Sequence, residues 1–176
     1  MPYPEPLVQP MRAELVAVGV NELRTAEEVD NAFGAAKDKS MLLVVNSVCG
    51  CAAGNARPAV RMSLQANDLP DMFTTVFAGQ DLDATSRARE YLMGIPPSSP
   101  FIALFKNNDP VFVLERRHIQ GRSASAIATD LVGAFSKYCG NTEEVDNSEG
   151  NGEAPSESES VSSQHEDLPS TFRSIL

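Results

Sequence analysis

The sequence predicts an α/β domain. A central, mixed four-stranded sheet is flanked by helices, with extra helices at the N-terminus and a disordered tail at the end. Short apolar runs alternate with helical patterns: "MLLVV" at Met41–Val45, "MFTTVFAG" at Met72–Gly79, then "FIALF" and "VFVLE". The first two runs enclose a helical stretch, which implies parallel strands joined by a crossover. The last two are separated only by "KNNDP", a hairpin signal that adds antiparallel strands.

A first helix is predicted over about Pro10–Val18, with Gly19 as its stop. "TAEE" at Thr25–Glu28 is a capping box that opens a second helix ending near Ala36. Val29, Ala32, Phe33 and Ala36 form its apolar stripe. Met41–Val45 is short, continuous and β-branched, as a strand buried on both faces should be. "CAAGNARPAVRMSLQAN" reads as a helix kinked at Pro58, where a backbone donor is missing. After the second strand, Asp81 is placed to cap a helix over Leu82–Met93. "GIPPSSP" is a turn-rich loop before the hairpin. Ser123 caps a last helix, about Ala124–Tyr138, that ends at Gly140. This is the element order of a thioredoxin-like core with two helices in front.

Charge separates the chain into a body, 1–140, and a tail, 141–176. The tail holds nine Asp and Glu against one basic residue, Arg173, and so carries −8 of the formal −10. It is rich in Ser, Glu, Gly and Asn, too polar to offset the entropy of ordering, and is expected to be disordered. The nearly neutral body shows no basic patch of the kind nucleic-acid binding needs. No apolar run approaches the roughly 20 residues that span a bilayer. The first residues, "MPYPEPLVQPMRAEL", lack the basic start and apolar stretch of a secretory signal. The expectation is a cytoplasmic protein with no nucleic-acid or membrane partner.

In a reducing compartment, a close cysteine pair points to catalysis or metal rather than to a structural staple. The three cysteines are Cys49, Cys51 and Cys139. "NSVCGCAAG" at Asn46–Gly54 follows the first strand and opens the next helix. Reactive groups in α/β folds gather beyond the carboxyl ends of strands. Unpaired N–H groups at a helix start favour a thiolate and lower its pKa. Gly50 leaves room between the thiols for an incoming disulfide and tolerates the backbone that brings positions i and i+2 together. A bridge across so short a loop suits a transient bond. Cys49 is therefore the candidate nucleophile and Cys51 the candidate resolving thiol, with an external thiol as the other resolver. Zinc needs about four ligands. His118 and Cys139 would have to join the pair to supply them, so no metal site is expected. Two buried packing thiols are the remaining reading.

Five motifs carry a more specific resemblance: "VVNSVCGCAAGNARPA" at Val44–Ala59, "FAGQD" at Phe77–Asp81, "PPSSP" at Pro96–Pro100, "PMRAEL" and "RRHIQG". Over about residues 5–140 the chain resembles the bacilliredoxin family, thioredoxin-like thiol–disulfide oxidoreductases with a Cys-Gly-Cys centre. The resemblance implies removal of bacillithiol from mixed disulfides on protein cysteines, with disulfide reduction or isomerisation as further activities. By the matching motif, Cys49 attacks and Cys51 resolves. No tightly bound cofactor is implied. Bacillithiol or another low-molecular-weight thiol is the co-substrate. The partners are S-thiolated or disulfide-bearing proteins and a recycling thiol or reductase. The tail departs from the compact family pattern. The resemblance also implies a cis bond at Ser99–Pro100, facing the thiols, where the Ser99 backbone pairs with a substrate chain.

A second function class is a non-catalytic redox sensor or partner-binding module that uses the same cysteine pair. Among other residues, Arg57 reads as a surface arginine, with attraction of an anionic thiol as its alternative. His118, beside Arg116 and Arg117, reads as structural, with proton transfer as its alternative. Cys139 reads as passive, with dimerisation as its alternative. Asn46 and Ser47 are candidates to hydrogen-bond the active-site turn or cap the helix. Gln80 and Asp81 are placed to border the same cleft.

Overall fold

A computed structural model describes residues 2–140; the expectation of a disordered tail lies outside the described residues. Helix α1 spans Glu5–Val16, strand β1 Asn21–Glu22, α2 Ala26–Ala35 and β2 Ser40–Asn46. A π-helical turn, Ala52–Ala56, leads into α3, Arg57–Ser63. Then follow β3 Met72–Phe77, α4 Leu82–Glu90, β4 Phe101–Lys106, β5 Asp109–Leu114, the short α5 Arg116–Ile119 and α6 Ala124–Tyr138. None of the described helices is long and apolar enough to cross a membrane.

The sheet has five strands in the order β1-β3-β2-β4-β5. β1 and β2 run parallel to β3, β4 is antiparallel to β2, and β5 is antiparallel to β4. The mixed sheet is as expected, with one strand more. Strand β1 is two polar residues long and has no apolar alternation, so no sequence pattern announces it. Backbone pairing of Asn21 with Thr74 and Glu22 with Thr75 makes it an edge.

Strand β2 lies at the centre and is buried along its whole length. Its alternate side chains serve opposite faces. Leu42 and Val44 join Ile102, Leu104, Leu131 and Phe135 on one side. Met41, Leu43 and Val45 join Val29, Phe33, Ala88 and Phe105 on the other. The buried hydroxyls of Thr74 and Thr75 donate to the carbonyls of Leu42 and Val44 at 3.0 and 2.9 Å, so neither is left unsatisfied. The hairpin turns at Asn107 and Asn108, with φ of 54° and 65°. That pair of left-handed residues suits the twist of a two-residue loop.

Thr25 and Glu28 form the expected capping box of α2. Ser123 accepts from the Ala126 N–H at the start of α6. Three helices differ from expectation. α1 starts at Glu5, five residues earlier, with Pro6 in its first turn, where no N–H is needed, and with Pro10 inside it. The helix after the cysteines changes hydrogen-bond register instead of merely kinking. The Arg57 N–H reaches back to the Ala52 carbonyl, and Pro58 sits in the first turn of α3. Asp81 occupies the N-cap position of α4, yet its carboxylate does not cap. It takes two bonds from buried Arg12 instead, at 2.6 and 2.9 Å.

Candidate active site

Strand β2 ends at Asn46, and Cys49 lies three residues on, just ahead of the π-helical turn. The thiols of Cys49 and Cys51 are free and partly buried. Cys49 Sγ accepts the Ser47 hydroxyl and the Ala52 N–H, each at 3.3 Å. Burial pushes the Cys49 pKa up. Hydrogen bonds from the Cys51 thiol, the Ser47 hydroxyl and the Ala52 and Cys51 N–H groups outweigh it and hold the value below that of an ordinary thiol. Cys51 moves the other way: burial, its bond to Cys49 and the Cys49 charge raise it, against a smaller opposing effect of Arg116. The two thiols are thus shifted in opposite directions. The helix-end N–H predicted from sequence is present. Of the two expectations for Ser47, bonding the turn or capping the helix, the hydroxyl meets the first, at the Cys49 sulfur.

The loop is held from below by Arg57. This corrects its reading as a surface residue: its side chain is 2% exposed. Nε and Nη2 fork onto the Glu14 carboxylate at 2.9 and 3.2 Å. Nη1 donates to Asn46 Oδ1 and to the Ser47 carbonyl, both at 3.1 Å. Asn46 Oδ1 also accepts the Ser47 N–H at 2.8 Å, and Asn46 Nδ2 donates to the Met11 carbonyl. α1 is therefore tied through Met11 and Glu14 to the strand end that presents Cys49. A guanidinium is suited to this place because its fork serves several acceptors at once. The signal in the sequence is weak: buried Ala56, Ala59, Val60 and Ser63 form a stripe that Arg57 flanks.

An open cleft of about 280 Å³ is lined by Ser47, Cys49, Ser99, Arg89, Arg116 and Tyr3, among others. The Ser99–Pro100 bond is cis, as expected, and Ser99 shares this cleft with Cys49. Gly50 has open space: an added Cβ would meet no heavy atom within 4 Å, and its φ lies outside the left-handed region. Its backbone does not require glycine, so of the two reasons given for it only the room for an incoming group stands.

The other candidates lie elsewhere. Gln80 accepts the Tyr3 N–H and Asp81 is committed to Arg12; Ala78 and Gly79 border the cleft in their stead. His118 Nδ1 accepts the Glu115 N–H at 3.1 Å, a structural cap of α5. Cys139 neighbours Ser40, at the opposite end of β2 from Cys49, and burial raises its pKa. A seven-residue strand spans about 20 Å, which separates Cys139 from the pair. Among the described residues, no group of three His, Cys, Asp or Glu side chains is arranged to hold a metal. Arg89 and Arg116 were missed as cleft residues. Each is remote from Cys49 in sequence and joins it only through the fold.

A thiol beyond the central strand that accepts the Ser47 hydroxyl and the Ala52 N–H, with a second free thiol two residues on in an α/β fold, is the arrangement of a thiol–disulfide oxidoreductase. Comparison with known proteins narrows the class. The family described as Disulphide isomerase matches residues 3–139. A protein of Salinibacter ruber named Bacilliredoxin is 60% identical over 176 residues, 99% of each chain. A Bacilliredoxin of Geobacillus kaustophilus is 48% identical over 139 residues, 78% of this chain and 95% of its own. The chain belongs to the bacilliredoxin family. Among solved structures, a thioredoxin from Nicotiana alata aligns with 18% identity and a TM-score of 0.49, covering 68% of this chain and 92% of that one. The Salinibacter alignment runs through the tail, so the tail is not foreign to the family, as its composition had suggested.

Proposed function

We propose that the protein removes bacillithiol, or a similar low-molecular-weight thiol, from mixed disulfides on protein cysteines. The observation that carries this reading is the set of donors around Cys49 Sγ, which favours a thiolate at the mouth of an open cleft. The Cys49 thiolate attacks the small thiol's sulfur. The protein cysteine leaves as a thiolate, and the small thiol is now joined to Cys49 by a disulfide. Cys51 then gives up its proton and attacks Cys49 Sγ, releasing the small thiol and closing a Cys49–Cys51 disulfide. Two electrons from a recycling thiol or reductase restore the pair. An external thiol can instead attack the mixed disulfide and return Cys49 directly. Protein disulfides are opened by the same first step. The Ser99 backbone offers a substrate chain an added strand beside the thiols. The partners are S-thiolated or disulfide-bearing proteins of the cytoplasm.

The test is to incubate reduced protein with a bacillithiol-modified protein and to measure the bacillithiol left on it. Cys49→Ala should abolish removal. Removal that persists in Cys49→Ala would show that the nucleophile is another group. Oxidation of the pair without any turnover would favour a redox sensor.

A further inference from the structure

Nine arginines lie among the described residues, and six are ion-paired: Arg12, Arg24, Arg57, Arg87, Arg117 and Arg122. Arg61, Arg89 and Arg116 have no carboxylate within 4.0 Å among those residues. Two of these three, Arg89 and Arg116, line the cleft that holds Cys49. They reach it from different elements, Arg89 from the last turn of α4 and Arg116 from the start of α5.

The dipole of α4 favours a cation in its last turn. It does not account for Arg89 Nε, which is buried and has no hydrogen-bond partner among the described residues. A buried donor left unmatched is costly unless something else satisfies it. Arg116 is held in place by its own backbone N–H on Ser98 Oγ at 3.1 Å and by Nε on Gln120 Oε1 at 3.2 Å. Its terminal nitrogens have no protein acceptor among the described residues, and its charge is felt at Cys51. The cleft they line, about 280 Å³ and open to solvent, also holds Cys49.

We propose that Arg89 and Arg116 form a subsite that binds a carboxylate on the low-molecular-weight half of the mixed disulfide. This rests on the thiol-exchange reading and sharpens it, because it makes acidic small thiols the preferred class over neutral ones. Guanidinium groups recognise carboxylates by forked, charge-assisted bonds. In the exchange, the Cys49 thiolate bonds to one sulfur of R–S–S–R′ and the other sulfur leaves as a thiolate. The arginines hold the acid of the half that becomes joined to Cys49.

The test uses two symmetrical disulfides, 3,3′-dithiodipropionate with two carboxylates and the neutral bis(2-hydroxyethyl) disulfide. The rate of adduct formation on Cys49 is followed by mass spectrometry, and each rate is divided by that of free 2-mercaptoethanol with the same disulfide. The wild type should favour the dicarboxylate by about ten-fold at low salt, and the preference should shrink as salt is raised. In the Arg89→Gln, Arg116→Gln double variant the ratio should fall to about one. A wild type without preference, or a double variant that keeps it, overturns the proposal. If Cys49 reacts with neither disulfide, the exchange reading itself fails. The subsite is then tested without chemistry: Cys49→Ala protein is titrated with dithiodipropionate while the Arg89 and Arg116 Nε–H resonances are followed by NMR. Saturating shifts support the subsite, and unmoved resonances overturn it.

Discussion

The Arg57 guanidinium donates to the Ser47 carbonyl at 3.1 Å, and Ser47 in turn donates its hydroxyl to Cys49 Sγ at 3.3 Å. A half-buried ion pair with Glu14 is thereby coupled to the Cys49 sulfur through one residue. Arg57→Met removes the charge and leaves the Ser47 carbonyl without this donor. Glu14 is 37% exposed and recovers water, which limits the loss. The expected cost is about 2–4 kcal/mol, read from urea denaturation. Arg57→Lys should lose much of the same amount, since an ammonium cannot fork. An unchanged urea midpoint in Arg57→Met would mean that the clamp contributes nothing.

Ser47→Ala deletes one of the donors that lower the Cys49 pKa, so that pKa should rise. The rate of iodoacetamide alkylation at Cys49 against pH should shift toward higher pH. The sign for stability follows from the same depression. The folded chain holds the Cys49 proton less tightly than the unfolded chain does. The associated stability is fully present above the unfolded thiol value of about 8.5 and is lost as pH falls through the folded value. In Ser47→Ala this part of the pH dependence should shrink. An unshifted alkylation profile would remove Ser47 from the account.

Truncation after Gly140 should leave both the urea midpoint and the Cys49 alkylation rate close to those of the full chain. Among the described residues, 2–140, two core clusters and the cleft around Cys49 are already formed. The Geobacillus relative covers 95% of its own length while matching only 78% of this chain. A loss of several-fold in the rate of thiol exchange on truncation would give the tail a part in the reaction.

The fold was legible where apolar periodicity is strong. Met41–Val45 and the Val29–Ala36 stripe were read directly, because burial on one or two faces leaves its mark on residue type. Strand β1 left no such mark, since two edge residues pair through backbone alone. The start of α1 was placed at Pro10, since a first helical turn accepts proline, but Pro6 fills that place and Pro10 lies inside the helix. At the site, the cysteine pair was legible because its chemistry is tied to local sequence, whereas the cis bond at Ser99–Pro100 was expected from the family resemblance. Arg57 was not. A charged residue on a helix is ordinarily on the surface, and only the tertiary approach of Glu14 and Asn46 makes a buried arginine stable. The same holds for Arg89 and Arg116, which α4 and α5 bring to Cys49 from far along the chain.

The division of labour between the two thiols is the centre of the account, and Cys51→Ala tests it most directly. Reduced Cys51→Ala protein is mixed with a bacillithiol-modified protein, without added thiol, and the adduct is mapped by mass spectrometry. One bacillithiol per chain, trapped on Cys49 and stable until an external thiol is supplied, is the result the account predicts. A chain that gains no adduct, or carries it on Cys139, would contradict it.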